Sequence, residues 1–211
     1  MEKVNYLHQT SSGKSYPLEI GFKPLPSDKI PLNKILTENA CRFGCRLYGR
    51  NGGCPPFSPN FNKFQKKYKI TNIIFAKLDT KYYPKNVLAG NYYIKWSFVE
   101  ALLTPFTNKF SKIAKDKNDM MFLASGFCKG CGNKKCEFKK GSECLQPFRR
   151  TFSLESTGVI VTEVAAKFLD FKLYWWDVSN PGYTPPYMTK IVAILSNQPI
   201  NNSDIFRVLK V

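Results

Sequence analysis

Seven cysteines fall into two groups whose spacing suits metal ligation. The denser group lies in residues 125–155, SGFCKGCGNKKCEFKKGSECLQPFRRTFSLE, where Cys128, Cys131, Cys136 and Cys144 follow C-x2-C-x4-C-x7-C. A metal centre needs several thiolates converging on one region, and short cysteine spacings in a glycine-rich loop supply that. Gly126, Gly130, Gly132 and Gly141 let the backbone turn tightly and bring N–H groups to sulfur without an intervening Cβ. Four cysteines within seventeen residues favour a metal site over scattered buried thiols or a disulfide pair.

The second group is ACRFGCRLYGRNGGCPPFSPNF, with Cys41, Cys45 and Cys54 spaced C-x3-C-x8-C. A separation of four places Cys41 and Cys45 on one helical face. Gly44, Gly49, Gly52 and Gly53 let the loop fold back, and Pro55 holds Cys54 extended. Three thiolates have two readings. One is a [4Fe–4S] cluster with an open iron available to a small ligand. The other takes a fourth ligand from elsewhere, such as His8, an Asp or a downstream cysteine. Arg42, Arg46 and Arg50 lie among these cysteines and are candidates to offset cluster charge or hold an anionic ligand.

The elements that must position these loops read as an α/β scaffold, a mixed β-sheet flanked by helices. Residues 70–78, ITNIIFAKL, form a buried strand, and DMMFLASGF is a second strand delivering Cys128 from its C-terminal end. Residues 92–115 show helical periodicity, with a kink or helix start expected at Pro105. YPLEIGFKPL suggests an edge strand ended by its prolines. Ser27 or Asp28 is a candidate cap for a helix through LNKILTENA. Ser153 is a candidate N-cap for a helix over ESTGVIVTEVAAKFLD. KLYWWD and MTKIVAILS read as two further strands, with core packing expected for most of Tyr174, Trp175 and Trp176. The 211 residues form one domain, with cysteine-rich loops at 41–56 and 126–147 and peripheral segments at 1–30 and 197–211. His8, the only histidine, reads as a surface residue.

Composition narrows the function classes. No apolar run approaches the roughly 18 residues of a membrane span, and the N-terminus lacks an apolar signal region. Seven thiols without an export signal point to the reducing cytoplasm. The formal charge is +17, from 32 Lys plus Arg against 15 Asp plus Glu. Most of that excess is dispersed lysine, which suits a solvated surface while allowing a nucleic-acid partner. Neither a G-x-x-x-x-G-K-[ST] nor a G-x-G-x-x-G phosphate loop is present. The C-x3-C-x2-C of radical S-adenosylmethionine enzymes is absent too, since Cys54 comes too late. A cysteine–histidine nucleophile would have to use His8.

Both cysteine stretches resemble the DUF2284 family of metal-binding proteins, which is widespread in anaerobic bacteria and archaea. CRFGCRLYGRNGGCPPFSP is similar to that family's C-x2-G-C-x2-Y-G…C-P-P signature. GFCKGCGNKKCEFKKGSECLQPFRRTFSLESTGVIV is similar to its cysteine loop and the run that follows, here C-x2-P-x2-R-x2-S-x-E-x2-G. The likeness spans residues 38–195 and departs in the longer gap between Cys131 and Cys136. It implies metal or iron–sulfur binding through the seven cysteines, with Tyr48, Arg150, Ser153 and Glu155 as further site residues. The expectation is a cytoplasmic protein with one or two [4Fe–4S] clusters. The four-cysteine cluster would serve electron transfer or structure, and the three-cysteine cluster redox or sulfur chemistry on a small ligand or substrate. Glu155 and Ser153 would assist proton transfer or ligand orientation. The alternative is a zinc-stabilised basic module that binds nucleic acid, with an iron–sulfur enzyme acting on RNA between the two.

Overall fold

Five strands form one sheet: β1 (Glu2–Gln9), β2 (Ser15–Pro26), β3 (Ile70–Asp79), β4 (Met121–Leu123) and β5 (Tyr187–Ser196). Their order is β1-β2-β3-β5-β4, and each neighbouring pair is antiparallel. The computed structural model describes residues 1–115, 117–132, 134, 136–140 and 143–209. Gly141 of the cysteine loop therefore lies outside the described residues. Helices flank the sheet as expected: α1 (Lys34–Gly44), α2 (Asn62–Gln65), α3 (Lys85–Leu88), α4 (Tyr92–Asn108), α5 (Ser111–Ala114), α6 (Val161–Phe168) and α7 (Asn202–Leu209). Among the described residues the one parallel pairing is an isolated bridge between Ala124 and Ser153.

The continuous apolar run of β3 is explained by its place at the middle of the sheet, with both faces covered. Ile74, Ala76 and Leu78 join one core with Val192 and Ile194 of β5 and Val99, Leu103 and Phe106 of α4. Ile73 and Phe75 point the other way, into a second core with Leu195, Val164 and Ala165. Fully burying one such side chain contributes roughly 1.5–3 kcal/mol. Among the cysteines, only Cys54 is buried. The hydrophobic stability of the scaffold therefore resides in the sheet and its helices, apart from the thiols.

Several local expectations need correction. YPLEIGFKPL is interior: β2 runs through its prolines and pairs with β3, while the mostly polar β1 occupies the edge. His8, on β1, is buried against Phe106, with ring centroids 5.1 Å apart. The cap of α1 is Asn33, whose Oδ1 accepts from Leu36 N at 2.9 Å; Ser27 and Asp28 form a separate short turn. α4 continues through Pro105, and a short helix follows from Ser111. KLYWWD is not a strand, because this segment passes from one core to the other. Leu173 packs in the β3–α6 core and Trp176 in the β3–α4 core, while Trp175 is 59% exposed. The helix expected over 155–170 is split by Gly158, whose φ of +104° suits a residue without Cβ. Ser153 is not an N-cap: Leu154 holds that position of the short turn at Glu155–Thr157, and Ser153 braces the turn by exchanging N–H to Oγ bonds of 3.1 Å with Ser156.

Candidate metal centres

Each cysteine group is built from a loop anchored to the scaffold at both ends. The first begins on α1, which is docked by Asn33 N donating to Gly158 O at 2.8 Å and by Lys34. The Lys34 ammonium, partly buried, donates to Ser156 O at 2.6 Å and to Ser58 Oγ at 2.9 Å. Cys41 lies in the last turn of α1, and Cys45 closes it by donating its N–H to Cys41 O at 2.9 Å. Successive turns follow: Tyr48 N to Cys45 O, Gly49 N to Pro55 O, and Cys54 N to Asn51 O. They bring Cys54 back beside the helix end.

The second loop leaves β4 through Ala124, whose N–H donates to Phe152 O at 2.8 Å. Ser125 is pinned by a 3.1 Å hydroxyl contact with Thr107 of α4. The loop returns through Arg150 to the short turn at Glu155–Thr157. Cys128 Sγ accepts N–H bonds from Gly130 and Thr151, each at 3.4 Å. Cys136 Sγ accepts one from Gly52 of the first loop, also at 3.4 Å. N–H groups aimed at sulfur are of the kind that tunes a bound cluster.

Two adjacent cavities result. One, of about 220 Å³, is lined by Cys41, Cys45 and Cys54 together with Tyr48, Ser153 and Glu155. The other, of about 300 Å³, is lined by Cys128, Cys131, Cys136 and Cys144 together with Arg50 and Arg150. Leu47 and Phe127 belong to both walls. At the closest approach Gly53 leaves no room for a side chain: a Cβ there would lie 2.6 Å from Cys128 Cβ.

Further bonds tie the loops together. Asn51 Nδ2 donates to Cys128 O at 3.0 Å, while Asn51 Oδ1 accepts from Gly53 N at 3.1 Å. The Arg150 guanidinium donates to Gly52 O at 2.6 and 2.9 Å and to Phe57 O at 2.9 Å. It also lies over the Phe138 ring at 4.3 Å. Its forked donors thus clamp the first loop's backbone. Of the other arginines, Arg46 stacks over Trp96 at 5.3 Å, and Arg42 is exposed. Tyr48 donates to Glu38 Oε1 at 3.3 Å.

Burial, followed by the nearby Cys45, Cys41, Cys128 and Cys136, pushes the Cys54 thiol up to about 12. Burial and then Cys45 and Glu155 raise Cys41, and Cys131 is raised by burial and then Cys136, Cys144 and Cys128. Crowded thiols resist ionising together unless a metal compensates their charge. The donor set is therefore suited to a metal group. Among the described residues, no three His, Cys, Asp or Glu side chains are grouped so as to hold a single ion. The thiols stand around cavities instead.

Some site residues had no local signature in the sequence. Glu100 and Trp96 of α4 and Lys190 of β5 line the three-cysteine cavity. Glu100 and Lys190 form an ion pair across ninety positions of sequence. Asn51 looked like one more loop residue. For Glu100 and Lys190 the only signal was a charged residue on an otherwise core-facing element.

The two cysteine groups thus line adjacent cavities on a helix-flanked sheet. Residues 23–194 match the family described as Predicted metal-binding protein (DUF2284), and the chain belongs to that family. Comparison with curated proteins gave no match, and neither did comparison with solved structures. Among the described residues, no helix is long and apolar enough to cross a membrane.

Proposed function

We propose that this is a two-centre iron–sulfur protein. Cys128, Cys131, Cys136 and Cys144 would hold a closed, four-thiolate centre. Cys41, Cys45 and Cys54 would hold a second centre with one position left for a small ligand or substrate. The observation that carries this reading is the arrangement of two thiol-lined cavities against a common wall of Leu47, Phe127 and the Gly53–Cys128 contact. When bound, such clusters supply one-electron transfer, and an iron without a fourth protein ligand supplies a Lewis-acid position.

The chain's own residues divide the work. Gly130, Thr151 and Gly52 donate N–H groups to the sulfurs of the second group. Arg150 and Asn51 fix the distance between the loops. Glu155, at the wall of the three-cysteine cavity, is placed to exchange a proton with a ligand there, and Ser153 holds the turn that carries it. Leu47 and Phe127, common to both cavity walls, would separate the two centres, and the surface outside them would receive a redox partner. A reducing compartment such as the cytoplasm goes with seven unpaired thiols.

Zinc is the competing occupant. It would draw four thiolates to about 2.3 Å from one ion, and the cavity-lining arrangement supports a polynuclear group better. Anaerobic purification followed by iron, zinc and sulfide analysis decides between them. Two full clusters correspond to about eight iron and eight sulfide per chain. Zinc at about one per chain, without acid-labile sulfide, would overturn the proposal.

A further inference from the structure

The three-cysteine cavity does not end at its thiols. A second cavity of about 130 Å³ adjoins it, and Trp96, Glu100, Gly126, Glu155 and Lys190 line both. Beyond this throat the walls are largely apolar and aromatic, including Leu173, Met188, Tyr174 and the half-exposed Trp175. Thiols and tyrosines aside, the ionisable groups of the two cavities are two carboxylates against one ammonium. That excess of negative charge lies inside a chain whose formal charge is +17.

The pairing within the throat sharpens the point. Lys190 is committed to Glu100, both four-fifths buried, and Glu100 also accepts from Thr104 Oγ1 at 2.9 Å. Among the described residues the Glu155 carboxylate has no ion pair or hydrogen bond from a side chain. The Thr189 hydroxyl, on the wall of the inner cavity, is buried without a partner among the described residues. Arg46 and Lys172 already lie over the Trp96 and Tyr174 rings, at 5.3 and 5.4 Å, which among the described residues leaves Trp175 as the ring without a cation. A half-buried carboxylate without an ion pair in the same chamber has a natural complement. Carboxylates neutralise a cation, and the faces of Trp and Tyr attract it through their quadrupoles.

We propose that this chamber binds a small alkylammonium ion, its charged head against Glu155 and its alkyl groups against Trp175. Bound there, the ligand lies at the entrance to the three-cysteine cavity. This goes beyond the cluster reading and does not depend on which metal the thiols hold.

Two of the three tryptophans, Trp96 and Trp175, line the chamber, so binding is readable in tryptophan emission. The probes are choline, its neutral isostere 3,3-dimethylbutanol and the anion 3,3-dimethylbutyrate, each titrated into the purified, metal-loaded protein. The expected result is a saturable change with choline alone, weakened at least tenfold by Glu155→Gln. The Trp175→Leu variant, altered at an exposed position, should also bind choline at least tenfold more weakly while keeping the native circular dichroism. An equal response to the neutral isostere, preference for the anion, or unchanged choline binding in a folded Glu155→Gln variant would overturn the assignment. Elemental analysis of the same samples keeps the two proposals separate. Zinc-loaded protein that binds choline would sink the cluster reading and leave this one standing, and cluster-loaded protein that ignores choline would do the reverse.

Discussion

Arg150 shows how one side chain can join two loops. Its guanidinium satisfies the carbonyls of Gly52 and Phe57 while covering the Phe138 ring. Hydrogen bonds from a charged donor are worth about 1.5–3 kcal/mol against leaving the acceptors unpaired. Arg150→Leu should therefore lower unfolding free energy by about 2–3 kcal/mol, measured by urea denaturation, and reduce the metal retained through gel filtration. Arg150→Lys keeps the charge but not the planar fork, and should fall between the two. A leucine variant with wild-type midpoint and metal content would show that the clamp is dispensable. The family resemblance marked this position as a site residue; only the fold shows its donors turned to backbone carbonyls.

At the level of elements, the decisive feature is the close passage of one loop over the other. A Cβ on Gly53 would meet Thr151 O at 2.3 Å and Cys128 Cβ at 2.6 Å. The first of these is backbone, so a Gly53→Ala change must move one loop. Overpacking of this kind costs about 1–3 kcal/mol, and here the strain falls on both cysteine groups. The expected outcome is loss of metal from both centres together, followed by metal analysis and visible absorption. Gly44→Ala is the matching control, since a Cβ at the end of α1 meets nothing within 4 Å and alanine is the better helix former. It should leave stability and metal content within error. Equal loss of metal in both variants would mean that the contact at Gly53 carries no special weight.

For the whole molecule, the sequence was most informative where a residue's neighbours in the chain determine its setting. The apolar runs of β3 and β5 and the periodicity of α4 are of this kind, as is the clustering of the cysteines. It was silent where the setting comes from across the fold. β1 is a strand because β2 offers it an edge, although its own residues are mostly exposed. Residues 172–177 carry strand-like aromatics, yet Leu173 and Trp176 are drawn into opposite cores. Neither Glu100 nor Lys190 announces a site until α4 packs against β5. The adjacency of the two cysteine groups belongs to the same category, since a long scaffold segment separates them in the chain.

The central claim is that these groups hold two unequal centres, one closed and one open to a ligand. The most direct measurement compares Cys41→Ser with Cys128→Ser, recording anaerobic absorption and electron paramagnetic resonance spectra before and after adding cyanide or a thiol. Cys41 sits at the end of a docked helix outside both cores, so its replacement should spare the fold and abolish the ligand-induced change. Cys128 anchors the loop between β4 and the Glu155 turn, so its replacement should lose metal and thermal stability together. A Cys41→Ser protein that keeps the full ligand-induced change, beside a Cys128→Ser protein that folds normally but has lost it, would contradict the account.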